Sequence, residues 1–580
     1  MFGHSRKHSF PDGLAARPEK PLRDELLSIE GLEERAKALA ARFTIDPTPR
    51  RRSRSVFRRF DDNARVLRDT YRSLAEEVHG GEFVTPAAEW LLDNFHLVAS
   101  EIRDIHHNLP RGYYRELPKL ASRELSGHAR VYAMAVELIR HSDSRLERRE
   151  LLRFVNSYQT VAPLTIGELW AWPSMLKLAL IENLRRLADE MMEAHDARRA
   201  ADAYVTRIEA AGDAGEAWQE RPPPLPAVLH PAFVLQLLQR MREYGPSLSA
   251  VRAAVGRHLA TEQMTPEDAI RSEHQRQAAS QVSVANVITS LRICATLDWS
   301  EYFEAVSLVQ RILDRDPAGA YRSMDFLSRD RYRQATEQLS ERTGEAQLRV
   351  ALRAIESARL SVERGAIDGS THVGYHLIGK GRRDLETDLA YRPSLGGRLR
   401  RFVFAHATSA YLGWVSVATT MLCGLGLAYV REMGGSPWAQ AVAVLALLIP
   451  ASEVAIAFTQ RMAAHVAKPR RLVRFDYLDG IPEGARTLVV VPTLLTSVVD
   501  ARERIEHLEV LALGNLDPRI HFAILSDFTD GPEPELPEDE ATLNAAREGI
   551  QALNDRLGPG RFYLLHRRRQ WNPREGVWMG

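Results

Sequence analysis

Two long apolar runs between residues 402 and 460 constrain this chain more than any other feature of its sequence. The first, from Phe402 to Val430, contains no formally charged side chain. The second, from Trp438 to Gln460, is interrupted only by Pro450 and Glu453. Each run is longer than the roughly 20 residues that a helix needs to cross a bilayer. The sequence therefore predicts a transmembrane helical hairpin over 402–460 that turns at REMGGSP.

Basic residues flank the outer ends of this hairpin. They are Arg398, Arg400 and Arg401 before the first run, and Arg461, Lys468, Arg470, Arg471 and Arg474 after the second. The turn holds only Arg431, so the positive-inside rule places both outer ends in the cytoplasm. The alternative is a pair of buried helices in a soluble domain. Glu453 either faces a pore or partner helix or reaches lipid headgroups.

Composition narrows the possible partners of the chain. The 580 residues include 77 Lys and Arg and 76 Asp and Glu, so no global charge favours nucleic acid as a partner. Cys294 and Cys423 lie far apart and lack metal-ligand spacing, which argues against a disulfide framework or a zinc site. A chain of this length is expected to form two or more domains.

Helix start signals and apolar periodicity dominate the first 400 residues. Thr85-Pro86, Thr165-Ile-Gly-Glu168 and Thr265-Pro266-Glu267-Asp268 each precede an amphipathic segment. Apolar residues recur at four- and three-residue spacing, as in Leu176, Leu180, Leu184 and Leu187. A proline cluster in residues 211–231 predicts a linker. We therefore expect two all-α regions, over 1–210 and 232–400.

Three segments of this helical part have a functional and a structural interpretation. The basic run from Arg50 to Arg59 either touches anionic lipid or is a solvated segment that enters a helix. Tyr113 and Tyr114 of LPRGYYREL either offer aromatic faces to sugar rings or pack in the core. The glycines and basic residues of THVGYHLIGKGRR, residues 371–383, either hold a phosphate or form a basic turn before the membrane.

Residues 470–580 alternate between strand and helix signals. An apolar run from Arg486 ends at Pro492-Thr493, a helix follows, and a second run from Arg519 leads into ILSDFTDG. A helix over about 538–557 then precedes a third run, residues 561–566. This β-α-β-α-β order predicts a parallel sheet covered by helices.

The acidic segment ILSDFTDG is the main candidate for a binding site in this part. Ligands of parallel α/β sheets bind at the carboxyl ends of the strands. We therefore select Pro492, Thr493, Asp527 and Asp530 as candidate nucleotide-sugar-binding residues, because a carboxylate accepts hydrogen bonds from ribose hydroxyls and base N–H groups. The alternative is an Asx-type turn that ends the strand.

Seven phrases of the sequence resemble bacterial cyclic β-1,2-glucan synthases. They occur in the same order, from about residue 60 to the last residue: AEWLLDNFHLV, LPRGYYRELPKL, PLTIGELWAW, THVGYHLIGKGR, RTLVVVPTLLTS, HFAILSDFTDG and RRRQWNPREGVWMG. Any one phrase alone would be weak evidence for this family, but seven phrases in the same order are specific evidence. The resemblance implies an incomplete GT-A-like glycosyltransferase domain over 470–580, after the all-α region and the hairpin.

The resemblance also implies an activity. It is the processive, inverting transfer of glucose from UDP-glucose onto a growing β-1,2-glucan chain, in a multi-pass protein of the bacterial inner membrane whose N-terminal and glycosyltransferase parts are cytoplasmic. Such a reaction needs a general base and Mg²⁺ or Mn²⁺ on the diphosphate. We recognise neither the base nor a metal site in this chain and expect both beyond Gly580. An inactive fragment is therefore expected. The alternative is a non-enzymatic membrane scaffold that docks a partner.

Overall fold

The computed structural model describes residues 19–46, 56–81, 84–121, 126–213, 223–243, 249–261, 263–467 and 471–580. The chain divides into two compact units. Unit 1 comprises residues 1–317 and 333–392, and unit 2 comprises residues 318–332 and 393–580. The basic residues at positions 50–55, residues 214–222 of the predicted linker, and Lys468 and Arg470 lie outside the described residues.

Unit 1 is built from α-helices. They are α1 (Ile29–Arg42), α2 (Val56–His79), α3 (Pro86–Asn108), α4 (Arg111–Glu116), α5 (Arg130–His141), α6 (Arg148–Gln159), α7 (Ile166–Asp213), α8 (Pro231–Glu243), α9 (Ser249–Thr261), α10 (Pro266–Thr296), α11 (Trp299–Val306), α12 (Leu308–Leu313), α13 (Phe326–Thr343), α14 (Gln347–Glu363), α15 (Val373–Leu377) and α16 (Arg382–Asp388). The first residues of α13 belong to unit 2. The predicted all-α character of this part is confirmed.

The longest of these helices, α7, lies in the core of unit 1. The predicted apolar positions Leu176, Leu180, Leu184 and Leu187 are fully buried along it. Its start is the predicted capping box, since Thr165 Oγ1 accepts from the Glu168 N–H at 3.2 Å and the Glu168 carboxylate accepts from the Thr165 N–H at 2.9 Å. A second capping box, of Thr265 and Asp268, starts α10. Local polar contacts therefore fix where these helices begin.

Unit 2 contains a helical hairpin that differs in one respect from the prediction. Helices α18 (Ala407–Glu432) and α19 (Pro437–Val466) are each long and apolar enough to cross a membrane. Residues Phe402–Phe404 belong instead to a separate helix, α17 (Leu395–Ala405). His406, with φ −118° and ψ 43°, interrupts the helical path between α17 and α18. The first candidate span therefore begins at Ala407 in the structure rather than at Phe402, and the membrane boundaries of the hairpin stay a prediction.

The α/β part of unit 2 has the predicted element order. Strands β1 (Thr487–Leu495), β2 (Ile520–Phe528) and β3 (Phe562–His566) alternate with helices α20 (Val498–Leu513) and α21 (Asp539–Leu557). The strands form a parallel sheet in the order β1-β2-β3. Strands β4 (Gln570–Asn572) and β5 (Val577–Met579) then form an antiparallel hairpin that was not predicted. The predicted mixed fold class is confirmed.

One face of the parallel sheet forms the core of this part. Phe522, Ile524 and Phe562 pack there against Ile505 and Leu508 of α20 and against Ile550 and Leu553 of α21. The other face carries apolar side chains that remain 40–53% exposed: Leu488, Val490, Leu494, Leu525, Tyr563 and Leu565. The sheet is thus covered by helices on one of its faces within unit 2.

Candidate functional site

The acidic segment lies at the carboxyl end of the central strand β2. Asp527 is the penultimate residue of β2, and Asp530 lies two residues beyond its end. Leu494 of β1 lies in register with Asp527, and Ser526 lies in register with His566 of β3. The three strand ends therefore meet at one edge, as the parallel topology requires.

The structure divides the predicted residues between the two faces of the sheet. Side chains alternate along a strand, so Thr493 shares a face with Val491, which packs on the helices. Pro492 is exposed and shares the open face with Leu494. Strand β1 also continues to Leu495, three residues past the proline that was expected to end it. Thr493 and Asp527 consequently lie on opposite faces of adjacent strands.

Asp527 has a cationic partner that the sequence analysis missed. The guanidinium of Arg567 donates to its carboxylate in a bidentate arrangement, with Nε–Oδ1 at 3.1 Å and Nη2–Oδ2 at 3.0 Å. The Arg567 side chain remains 60% exposed and that of Asp527 30% exposed. A carboxylate offers about four acceptor positions, so this pair leaves part of Asp527 available to a ligand.

A second arginine holds the chain just after β2. Arg569 is 5% exposed and donates through Nε to the Thr529 carbonyl at 2.6 Å. Its guanidinium also binds the Asp539 carboxylate at the start of α21, with one contact of 3.1 Å. Burial raises the pKa of Asp539, but the hydrogen bonds from Arg569 and the Leu536 N–H outweigh it and lower the pKa overall. Arg569 thus ties the acidic segment to α21.

The β4–β5 hairpin lies against the same segment. Gly531 and Trp578 exchange both of their backbone hydrogen bonds, at 2.9 and 3.0 Å. Asp530 Oδ1 accepts from the Gly580 N–H at 3.0 Å. The Asp530 carboxylate therefore already takes part in the packing of the β4–β5 hairpin, through a residue 50 positions away rather than through the Asx-type turn of the alternative interpretation.

His566 ends β3 next to these carboxylates. Its Nδ1 lies 2.9 Å from Ser526 Oγ, and its ring meets that of Phe528 edge-on at 4.3 Å between centroids. Burial lowers the pKa of His566, and the negative charge of Asp527 opposes this shift. The signal that could have identified these residues is the HRRR sequence, which begins at the last residue of the third predicted strand.

The donor set at this edge does not fit a metal ion. Among the residues that the structure describes, no three His, Cys, Asp or Glu side chains come together as a metal centre requires. Asp527 is engaged by Arg567, and one oxygen of Asp530 is engaged by a backbone N–H. We therefore derive no chemical step through a metal here.

The tyrosines of LPRGYYREL pack rather than face solvent. Tyr114 is 1% exposed and meets Phe57 edge-on at 5.6 Å. Tyr113 donates to the Gly167 carbonyl at 2.5 Å, so this phrase contacts PLTIGELWAW. These contacts favour the core interpretation over sugar stacking.

The segment THVGYHLIGKGRR forms α15, a tight turn and the start of α16. A Cβ atom at Gly379 would lie 2.9 Å from the backbone of Tyr375, and one at Gly381 would lie 2.6 Å from its ring. Arg382 binds Glu386 at 3.0 Å and the Leu377 carbonyl at 3.2 Å. Close packing accounts for both glycines and for Arg382, which favours the turn interpretation over a phosphate site.

Together these observations define a chain with a helical unit, a pair of helices suited to a membrane, and an α/β sheet with polar residues at the carboxyl ends of its strands. No protein-family model matches the chain. It is 36% identical over 530 residues to the cyclic β-(1,2)-glucan synthase NdvB of Rhizobium meliloti (strain 1021), and the match covers 90% of this chain. The chain spans 18% of the length of that relative. The resemblance predicted from the sequence is confirmed.

Proposed function

We propose that this chain is the donor-binding and membrane-anchoring part of an inverting glucosyltransferase that makes cyclic β-1,2-glucan from UDP-glucose. The observation that carries the proposal is the position of Asp527. It lies at the carboxyl end of the central parallel strand in a chain that is 36% identical to a glucan synthase over 530 residues. This is where α/β sheets bind nucleotides.

The contacts of the site support a role in holding the nucleotide. Asp527 keeps acceptor positions for a ribose hydroxyl or the uracil N–H, while Arg567 beside it supplies positive charge for a diphosphate. Asp530 would contribute its second carboxylate oxygen, and Pro492 would line the open face beside Leu494. Thr493 would act through its backbone, because its side chain lies on the helix-covered face.

Binding of UDP to the purified 580-residue chain in detergent tests this assignment. A hydrogen bond to a charged group contributes about 1.5–3 kcal/mol, so we expect Asp527→Asn to weaken UDP binding by roughly ten- to a hundredfold. Asp555→Asn near the end of α21 is the matched control, since this exposed carboxylate follows Asn554, which binds the Phe562 carbonyl at the opposite end of β3. Equal UDP affinity in the two variants would refute the role of Asp527.

We further propose that the chain alone does not transfer glucose. The divalent metal, Mg²⁺ or Mn²⁺, and the general base would come from the remainder of the complete enzyme, because the described residues provide no metal-binding cluster. Incubation with radiolabelled UDP-glucose and a β-1,2-glucan acceptor is expected to give no labelled polysaccharide. Labelled glucan made by the chain alone would overturn this part of the proposal. UDP binding without transfer is the expected combination.

The proposal places the protein in a bacterial inner membrane, with the N-terminal helical region and the α/β part of unit 2 on the cytoplasmic side. Arg461 lies in the last turns of α19, and Arg471 and Arg474 follow that helix, whereas the short connection between α18 and α19 lacks Lys and has Arg431 just before it. Short segments that flank a membrane span and are rich in Lys and Arg are usually retained in the cytoplasm. UDP-glucose and the growing glucan chain would then meet the protein on that side.

A further inference from the structure

Helix α17 is separate from the span that follows it. Ser394 Oγ caps its start by accepting from the Gly397 N–H at 3.2 Å. The helix ends at Ala405, and the non-helical His406 intervenes before α18 begins at Ala407. The eleven residues of α17 therefore form an independent element directly beside a candidate membrane span.

Four of the five large apolar side chains of α17 form one continuous stripe, and the fifth, Phe404, lies on the opposite side of the helix. Leu395, Leu399, Phe402 and Val403 follow the i, i+4, i+7, i+8 spacing of a single helix face. Their exposed fractions are 83%, 65%, 64% and 38%, and no residue of the helix is buried. Within unit 2 this stripe has no protein surface packed over it.

The opposite side of α17 is basic. Arg400 and Arg401 project away from the stripe, and the guanidinium of Arg400 lies 5.4 Å from the centroid of the Phe404 ring. Arg398 adds a third positive charge to the helix, which contains no acidic residue. An apolar stripe opposed by arginines is typical of helices that lie in the plane of a membrane surface.

The position of the hairpin α18–α19 indicates that a membrane surface covers the apolar stripe of α17. Because α18 and α19 are joined by the short connection 433–436 and pack antiparallel, their outer ends lie on one side of the bilayer. Arg461 and Arg471 are near the outer end of α19, so α17 begins at the same membrane surface as other arginines. A membrane surface offers apolar acyl chains to the stripe and anionic headgroups to the arginines, so it complements both sides of the helix.

We propose that α17 is an interfacial helix that inserts Leu395, Leu399, Phe402 and Val403 among acyl chains and binds anionic phospholipid headgroups through Arg398, Arg400 and Arg401. This inference rests on the membrane placement of α18 and α19 given under the proposed function. It adds a preference for one lipid class, because arginines near an anionic membrane surface are attracted to it.

Hydrogen–deuterium exchange of the full chain in lipid nanodiscs tests the inference. One preparation contains phosphatidylcholine alone and the other a mixture of phosphatidylcholine and phosphatidylglycerol. We expect peptides covering residues 395–405 to exchange roughly ten- to a hundredfold more slowly in the anionic discs. Peptides of α18 and α19 should be protected equally in both.

Two variants and a control separate the contributions. Arg398→Gln with Arg400→Gln should remove most of the difference between the two lipids, leaving only the contribution of Arg401. Leu399→Ser with Phe402→Ser should remove the protection in both. Arg359→Gln with Arg364→Gln, at exposed positions in unit 1, is the charge-matched control and should leave the difference intact.

Three results would overturn the inference. Exchange of 395–405 that is the same in both lipids would refute the binding of anionic headgroups, and with it the inference, while protected α18 and α19 would leave the membrane placement intact. Unprotected α18 and α19 would refute the membrane placement and the inference with it. Protection that changes with protein concentration rather than lipid would assign the stripe to contact between copies of the chain.

Discussion

Arg567 and Asp527 form a bidentate ion pair between the chain after β3 and the end of β2, with both contacts at 3.0–3.1 Å. Two residues further on, Arg569 binds Asp539 and the Thr529 carbonyl. The first arginine is 60% exposed at its side chain and the second 1% exposed. The pairs Arg567–Asp527 and Arg569–Asp539 are thus both arginine–carboxylate ion pairs, but the second is far more buried than the first.

We expect Arg569→Gln to destabilise the acidic segment far more than Arg567→Gln. Losing one partner of a buried pair costs about 3–5 kcal/mol, whereas an exposed pair contributes about 0–1 kcal/mol. Hydrogen exchange of the peptides covering residues 520–531 in the full chain measures this local difference. Equal acceleration of exchange in both variants would show that burial of Arg569 does not govern the stability of the segment.

Lys119 makes the stability of the helical unit depend on pH. It is 1% exposed, its Nζ lies 3.4 Å from the centroid of the Tyr114 ring, and burial lowers its pKa to about 7. An unfolded lysine has a pKa near 10.4, so the unfolded chain binds more protons between these values. The contribution of Lys119 therefore becomes more favourable as pH rises from about 7 to about 10, by up to roughly 1.4 kcal/mol per pH unit.

Thermal unfolding of the wild type and of Lys119→Met as a function of pH measures this effect. The difference in Tm between the two proteins should shift in favour of the wild type as pH rises through that window, because the variant has no group to titrate there. Lys37→Met, on α1, is a control with the same change in composition. A difference in Tm that is constant from pH 7 to pH 10 would contradict the assignment.

Gly379→Ala should destabilise the turn of THVGYHLIGKGRR. The new Cβ would lie 2.9 Å from the Tyr375 backbone, which cannot move as a side-chain tip can. Overpacking of this kind costs about 1–3 kcal/mol. Gly369→Ala is the matched control, because a Cβ there meets nothing within 4 Å. Limited proteolysis of the full chain should reveal faster cleavage near α16 in the first variant only.

The orientation of the hairpin predicts a labelling pattern. A cysteine in place of Met433, which is 69% exposed in the connection between α18 and α19, should react with a membrane-impermeant maleimide added to intact cells. A cysteine at Ser394 should react only after lysis. The natural cysteines, Cys294 and Cys423, are buried and provide the background. Labelling of Ser394→Cys in intact cells would reverse the topology that the arginine distribution predicts.

Much of the fold could be predicted because local signals decide it. The capping box of Thr165 and Glu168 defines a helix start within four residues, and the leucine periodicity of α7 defines its buried face. The break at His406 was missed, because an apolar run gives no sign that a helix ends within it. The β4–β5 hairpin was also missed, because strands of three residues carry too short a pattern.

The sequence predicted that the candidate residue Asp527 lies at a strand end, but it did not predict which side chains contact it. The strand order alone brings Asp527 to the carboxyl end of the sheet. Its pairing with Arg567 depends on the path of the chain after β3, which no spacing within ILSDFTDG determines. Strand alternation, which depends on where each strand begins, likewise places Thr493 and Asp527 on opposite faces.

The exposed apolar face of the three-stranded sheet has a consequence for handling the protein. Leu488, Val490, Leu494, Leu525 and Leu565 present a hydrophobic surface well away in sequence from α18 and α19. Detergent that solubilises the hairpin will also adsorb to this face. We expect a purified sample to carry more bound detergent than two membrane helices require, and its apparent size in gel filtration to overestimate the number of copies present.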